Sequence, residues 1–212
     1  PAVSEALAMK NNIMLNSRIN NAFRAGMLIA LPCAAGLFIL AYPICDLLYA
    51  TPEAGSPLEI MAFACIMLAA FQLSSASLQG IGRPEIAMRN LIITGIFKVI
   101  LNYTLTSVPT LNVRGAALGT VTAFLIGSLL NIIYLKKLTG VVYEGKRLVK
   151  IALVTVIMTI GVKFIYQTLV GVDIHSHIST LLAITAGVGI YGILLLLLKE
   201  LDWDMVKRIM GR

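Results

Sequence analysis

The chain has 212 residues, 58% of them hydrophobic and 13% charged, with a formal charge of +7. Soluble domains carry roughly a quarter charged residues, so an ordinary water-soluble domain is excluded. The positive balance does not point to nucleic acid, because no basic patch is interleaved with aromatics and the cations sit mostly in short loops and tails.

Windows of about twenty residues with one charge or none recur along the chain, which is the pattern of transmembrane helices. The chain opens on Pro1 with no signal peptide and is expected to be the C-terminal part of a longer protein. A first span is predicted over Ala25–Cys45, with Pro32 inside it and Pro43 near its far end, where prolines should bend or interrupt a helix. The second span, Leu58–Gly80, places Gln72, Ser75 and Gln79 on one face. The third, Asn90–Val108, carries a polar ladder at four-residue steps: Asn90, Thr94, Lys98, Asn102 and Thr106.

The fourth span, Gly115–Leu135, has a second ladder of Gly115, Gly119, Ala123, Gly127 and Asn131. Small residues at that spacing admit another backbone, and an asparagine can hydrogen-bond across the contact. The fifth span covers Ile151–Val170 and the sixth Ile178–Leu198. Lys163, in the fifth, is close enough to the outer boundary to snorkel. The tail places Leu201, Met205 and Ile209 four residues apart, an amphipathic helix for the inner leaflet or a solvated end.

Fourteen of the seventeen Lys and Arg residues fall on one side of these spans and only Arg114 on the other, Lys98 and Lys163 lying within spans. That bias predicts cytoplasmic ends for the chain, in agreement with an even number of crossings.

Lys98 is the anomaly. It lies about nine residues from either boundary, roughly 13 Å at the helical rise, and a charge at that depth costs about 2.5–3.5 kcal/mol. No carboxylate of the chain lies at its depth. Its partner is therefore cavity water, a substrate anion or a group elsewhere in the longer protein. Lys98, Asn102, Thr94 and Gln72 are the candidate cavity residues, with interhelical contact as the alternative for the neutral ones; Gly115, Gly119, Gly127 and Asn131 are the candidate packing residues. No catalytic residue, metal ligand or cofactor site is assigned. Cys33, Cys45 and Cys65 lie in apolar windows, and His175 with His177 form a pair in an outer loop.

The segments "ALPCAAGLFILAYPICDLLY", "LQGIGRP", "KVILNYTLTSVPTLNVRGAALGTV" and "LLNIIYLKKLTG" resemble the C-terminal half of polysaccharide-biosynthesis and stage V sporulation protein B-like transporters. Their superfamily also contains lipid II flippases and multidrug extruders. The resemblance runs from Pro1 to about Gly140. It implies an all-α integral membrane fold in which six helices complete a two-lobe transporter of roughly fourteen. Residues 1–24 would be a cytoplasmic loop and lead-in, 25–140 four helices of the C-terminal lobe, 141–198 two added helices, and 199–212 a cytoplasmic tail. It further implies a flippase of the bacterial plasma membrane for a lipid-linked sugar pyrophosphate, lipid II foremost, with membrane lipid and an N-terminal lobe as partners. The alternatives are a cation-coupled drug extruder and a membrane scaffold for cell-wall synthesis.

Overall fold

A computed structural model describes Val3 and residues 12–143, 145–172 and 175–198. The helices are α1 (Asn12–Ile39), α2 (Ala41–Tyr49), α3 (Gly55–Gly80), α4 (Pro84–Thr106), α5 (Val113–Thr139), α6 (Gly145–Gly171) and α7 (Ser176–Leu197), with a 3₁₀ turn at Pro52–Ala54 before α3. No strand occurs among the described residues. All helices except α2 are long and apolar enough to cross a membrane, six in number.

Each long helix starts before its predicted span. The largest difference is in α1, which is already helical at Asn12, so all of residues 12–24 belong to the helix, where a loop and lead-in is expected. Hydropathy marks the part of a helix that sits in lipid, not the whole helix. The extension is instead held by Leu15, Ile19 and Phe23 at four-residue spacing, which pack on Leu78, Ala87, Leu135 and Val141. This cluster marks one end of the bundle. Arg83, Arg89, Lys136, Lys137 and Lys146 lie at the same end, which is called the basic end below. The tail proposed at 199–212 and the charges at Lys10 and Asp173 lie outside the described residues.

The two prolines behave differently. Pro43 sits in the first turn of α2, where its missing N–H is harmless, and Leu40 before it leaves helical geometry (φ −107°, ψ 18°). Pro32 lies inside α1 without breaking it. Proline there cannot bond the carbonyl four residues back, that of Leu28, and the Tyr191 hydroxyl of α7 donates to that oxygen instead at 2.8 Å. Tyr191→Phe should therefore strand a carbonyl and cost about 1–3 kcal/mol. A lowered midpoint in thermal unfolding of the detergent-solubilised protein is the expected readout.

Helix α5 is the centre of one group, with α4 and α3 packed on it, and α1 packed on α3. The α6–α7 hairpin packs on α1 through Leu28, Ile151, Val154 and Leu195. Helix α4 lies at the edge: 17% of its central window is buried, against 39% for α5. Two left-handed glycines make the turns at the basic end, Gly82 (φ +75°) after α3 and Gly140 (φ +66°) after α5. The link following Gly140 is pinned to α1, since Asn20 Nδ2 donates to the Val142 carbonyl at 2.9 Å and the Val142 N–H donates to Asn16 Oδ1 at 3.2 Å. Beside it, burial pushes the Tyr143 phenol up to about 12, so that side chain stays neutral.

Candidate functional site

The two ladders meet each other. Helices α4 and α5 run antiparallel, and their four-residue steps fall into register rung by rung. Asn90 Nδ2 donates to Asn131 Oδ1 at 2.8 Å. One turn further, a Cβ placed on Gly127 would strike Thr94 Oγ1, and on the other side the Phe71 ring. A Cβ on Gly119 would strike Asn102 Oδ1, and one on Gly115 the Leu105 carbonyl. The small residues of α5 are thus the slots into which the polar residues of α4 fit.

This register sorts the candidate cavity residues. Thr94 is 2% exposed, and its hydroxyl donates back to the Asn90 carbonyl at 2.7 Å, so it belongs to the helix seam. Asn102 is partly buried against Gly119, with its Oδ1 lacking a partner among the described residues. Gln72 is exposed on α3. Lys98 falls opposite Ala123 in the same register, too small to cover a long side chain. It is partly buried, and its ammonium lies 5.4 Å from the centre of the Phe124 ring, one residue along α5.

Phe124 in turn lies beside Phe71 of α3, ring centres 6.0 Å apart. Lys98 therefore emerges on the side of α4 that faces α3. There α3 and α4 straddle α5 and leave a groove of about 590 Å³, within the usual range of about 300–1,000 Å³ for ligand pockets. Its walls are mainly apolar, with Phe71 from α3 and Met88 from α4 among them, and its polar groups are Gln72, Ser75 and Gln79 on α3 and Glu85 at the start of α4. Leu91 is its furthest wall residue along α4, and Lys98 follows two turns later, about 10 Å at the helical rise. A second cavity, between α1 and α6 beside Arg24 and Tyr143, offers about 10 Å³, room for a single water.

Energetics distinguish Lys98 from its neighbours. A cation over an aromatic face gains about 0.5–1 kcal/mol when exposed and about 2 when desolvated. That is less than the cost of a midspan charge, so the ring alone does not explain the residue. Among the described residues Lys98 has no carboxylate within ion-pair distance; the pair present is Arg83 with Glu85 at 3.4 Å, at the basic end. Water, an anion or a group outside these residues must supply the rest.

The outlying candidates contribute little. Lys163 is exposed on α6. His175 and His177 are exposed, with ring centres 6.4 Å apart, and no group of metal-binding side chains occurs among the described residues. The sequence reading missed Phe124, Phe71 and the role of Ser75. The only available signal was the shared four-residue step of the two ladders, which sets Ala123 opposite Lys98.

The model of the lipid II flippase MurJ family matches residues 1–187. The chain is 27% identical to lipid II flippase MurJ of Bacillus subtilis over 176 residues, covering 80% of this chain and 32% of that protein. The probable low-salt glycan biosynthesis flippase Agl15 of Haloferax volcanii is 26% identical over 99% of this chain and 44% of its own length. Stage V sporulation protein B of Bacillus subtilis is 25% identical, over 99% and 40% respectively. The chain thus spans about a third to under half the length of these relatives. A solved structure, lipid II flippase MurJ in an inward closed conformation, superposes with a TM-score of 0.74 at 20% identity, over all of this chain and 42% of that one, which establishes the shared fold. The match over most of its length, together with six membrane-crossing helices in that fold, makes the chain a multi-pass membrane protein of the MurJ lipid II flippase family.

Proposed function

We propose that this chain is the C-terminal part of a flippase that moves a lipid-linked oligosaccharide, lipid II foremost, across the bacterial plasma membrane by alternating access. The observation that carries the reading is a mid-helix cation with no carboxylate partner among the described residues, two turns beyond the last wall residue of a groove with polar groups on its α3 side, in a chain of this family. Lys98 would receive the anionic pyrophosphate, as an ammonium that must otherwise go unpaired in a medium of low dielectric. The groove would face an N-terminal lobe supplied by the rest of the protein, and α6–α7 would present apolar surface to lipid. The basic end, with both ends of this chain, would be cytoplasmic.

Two of the four candidate cavity residues support this reading by position, Lys98 and Gln72. Thr94 is spent on helix packing, and Asn102 lies between the two roles. A purely structural scaffold would need the ladder as a seam and nothing more, and Lys98 is the rung that does not fit. Complementation tests the reading: the full-length gene should sustain growth of a cell depleted of its own lipid II flippase. Failure despite good membrane expression would refute it for that substrate.

A further inference from the structure

Serine and threonine hydroxyls in these helices usually bond back to a carbonyl three or four residues earlier, as Ser74, Ser77, Thr94, Thr122 and Thr155 do. Ser75 differs. Its Oγ accepts from Asn131 Nδ2 at 2.7 Å, and its own O–H donates to no described residue. The carbonyl it would ordinarily use, that of Phe71, already accepts from Ser74 Oγ at 3.0 Å and faces Asn131 Nδ2 at 3.4 Å. The Phe71 oxygen also fixes the orientation of the Asn131 amide, because an amide oxygen turned that way would face another acceptor. Asn90, donating to Asn131 Oδ1 from the other side, holds the same orientation.

The outcome is a relay across three helices, from Asn90 on α4 through Asn131 on α5 to Ser75 on α3. It ends with a hydroxyl proton on the wall of the groove. On the same face of α3, Gln72 and Gln79 add neutral amides to that wall, and its carboxylate, Glu85, is already engaged by Arg83. No lysine or arginine lines this stretch among the described residues. Such a wall offers neutral oxygens their partners but supplies no cation to a phosphate, whereas Lys98, two turns beyond Leu91, does.

We propose that Ser75, oriented by Asn131, is a hydrogen-bond donor to a neutral oxygen of the sugar portion of the ligand, in a subsite separate from the anion contact at Lys98. This rests on the flippase reading above. Asn131 is a positioning residue, and Ser75 touches the ligand.

Binding to the full-length protein in detergent tests this with two probes, undecaprenyl pyrophosphate and the same lipid carrying its disaccharide. Ser75→Ala should weaken binding of the sugar-bearing lipid about three- to tenfold, as expected for one neutral hydrogen bond, and leave the bare pyrophosphate unaffected. Ser75→Thr, which keeps a hydroxyl, should restore most of the affinity. Lys98→Ala should weaken both probes. Equal effects of Ser75→Ala on the two probes, no effect on either, or failure of threonine to rescue would overturn the sugar subsite while leaving a Lys98-dependent interaction in place. If neither lipid binds the unsubstituted protein, the flippase reading falls and the subsite with it.

Discussion

Lys98→Ala in the full-length protein is expected to reduce transport of the lipid-linked substrate at least tenfold without lowering membrane expression. One charge-assisted contact is worth about 1.5–3 kcal/mol, and each 1.4 kcal/mol is a factor of ten. Stability should move the other way or not at all, because removing a midspan ammonium lifts a cost of about 2.5–3.5 kcal/mol and forfeits only the contact with Phe124. Lys98→Arg keeps the charge and should retain partial transport. Transport measured in vesicles alongside thermal unfolding separates the outcomes. Unchanged transport would remove Lys98 from the pathway, and a parallel loss of stability would make it a structural residue.

Gly115→Val should have the largest effect on folding. The atom a side chain meets there is the Leu105 carbonyl, part of the α4 backbone, so no rotamer change relieves the clash and the two helices must separate. Overpacking of a rigid contact costs typically about 1–3 kcal/mol, occasionally more, and here it also opens the seam at the end away from the basic end. Gly127→Leu should act similarly near the middle, since it faces Thr94 on one side and Phe71 on the other. The control lies on α4 itself: Gly95 has open space around its Cβ position, and Gly95→Ala should be neutral or slightly stabilising. Monodisperse protein recovered after size-exclusion chromatography would report the difference. Equal recovery of Gly115→Val and Gly95→Ala would show that the seam is not close-packed.

The six crossings were legible in the sequence because hydrocarbon imposes a minimum run of apolar residues on any helix that spans it. The first turns of α1 were not, because beyond the membrane boundary the helix is held by Leu15, Ile19 and Phe23, spaced four apart in a segment rich in asparagine and arginine. Both ladders were visible as four-residue steps, and small residues on α5 announced a close approach. Their mutual register was not visible, because it depends on how the short link between α4 and α5 turns. That register decides which ladder residues are buried: it commits Thr94 to the seam and leaves the end of Lys98 outside it. The Phe124 ring under the ammonium has no sequence signature, and neither has the Tyr191 hydroxyl that completes α1, 163 residues from Leu28. The Ser75 donor depends on an asparagine 56 residues away, so its role emerges only with the three helices assembled.

The Lys98 side of α4 should meet water while the rest of that helix meets protein or lipid. Single cysteines in the full-length protein, with Cys33, Cys45 and Cys65 replaced, can be exposed in membranes to a water-soluble thiol reagent that reacts with the thiolate. Fast modification is predicted at positions 98 and 72, beside the groove. Slow modification is predicted at 94, sealed in the seam, and at 96, whose isoleucine is exposed on the apolar surface. Position 98 reacting as slowly as 96 would show that this side of α4 is dry and leave Lys98 without a role in transport.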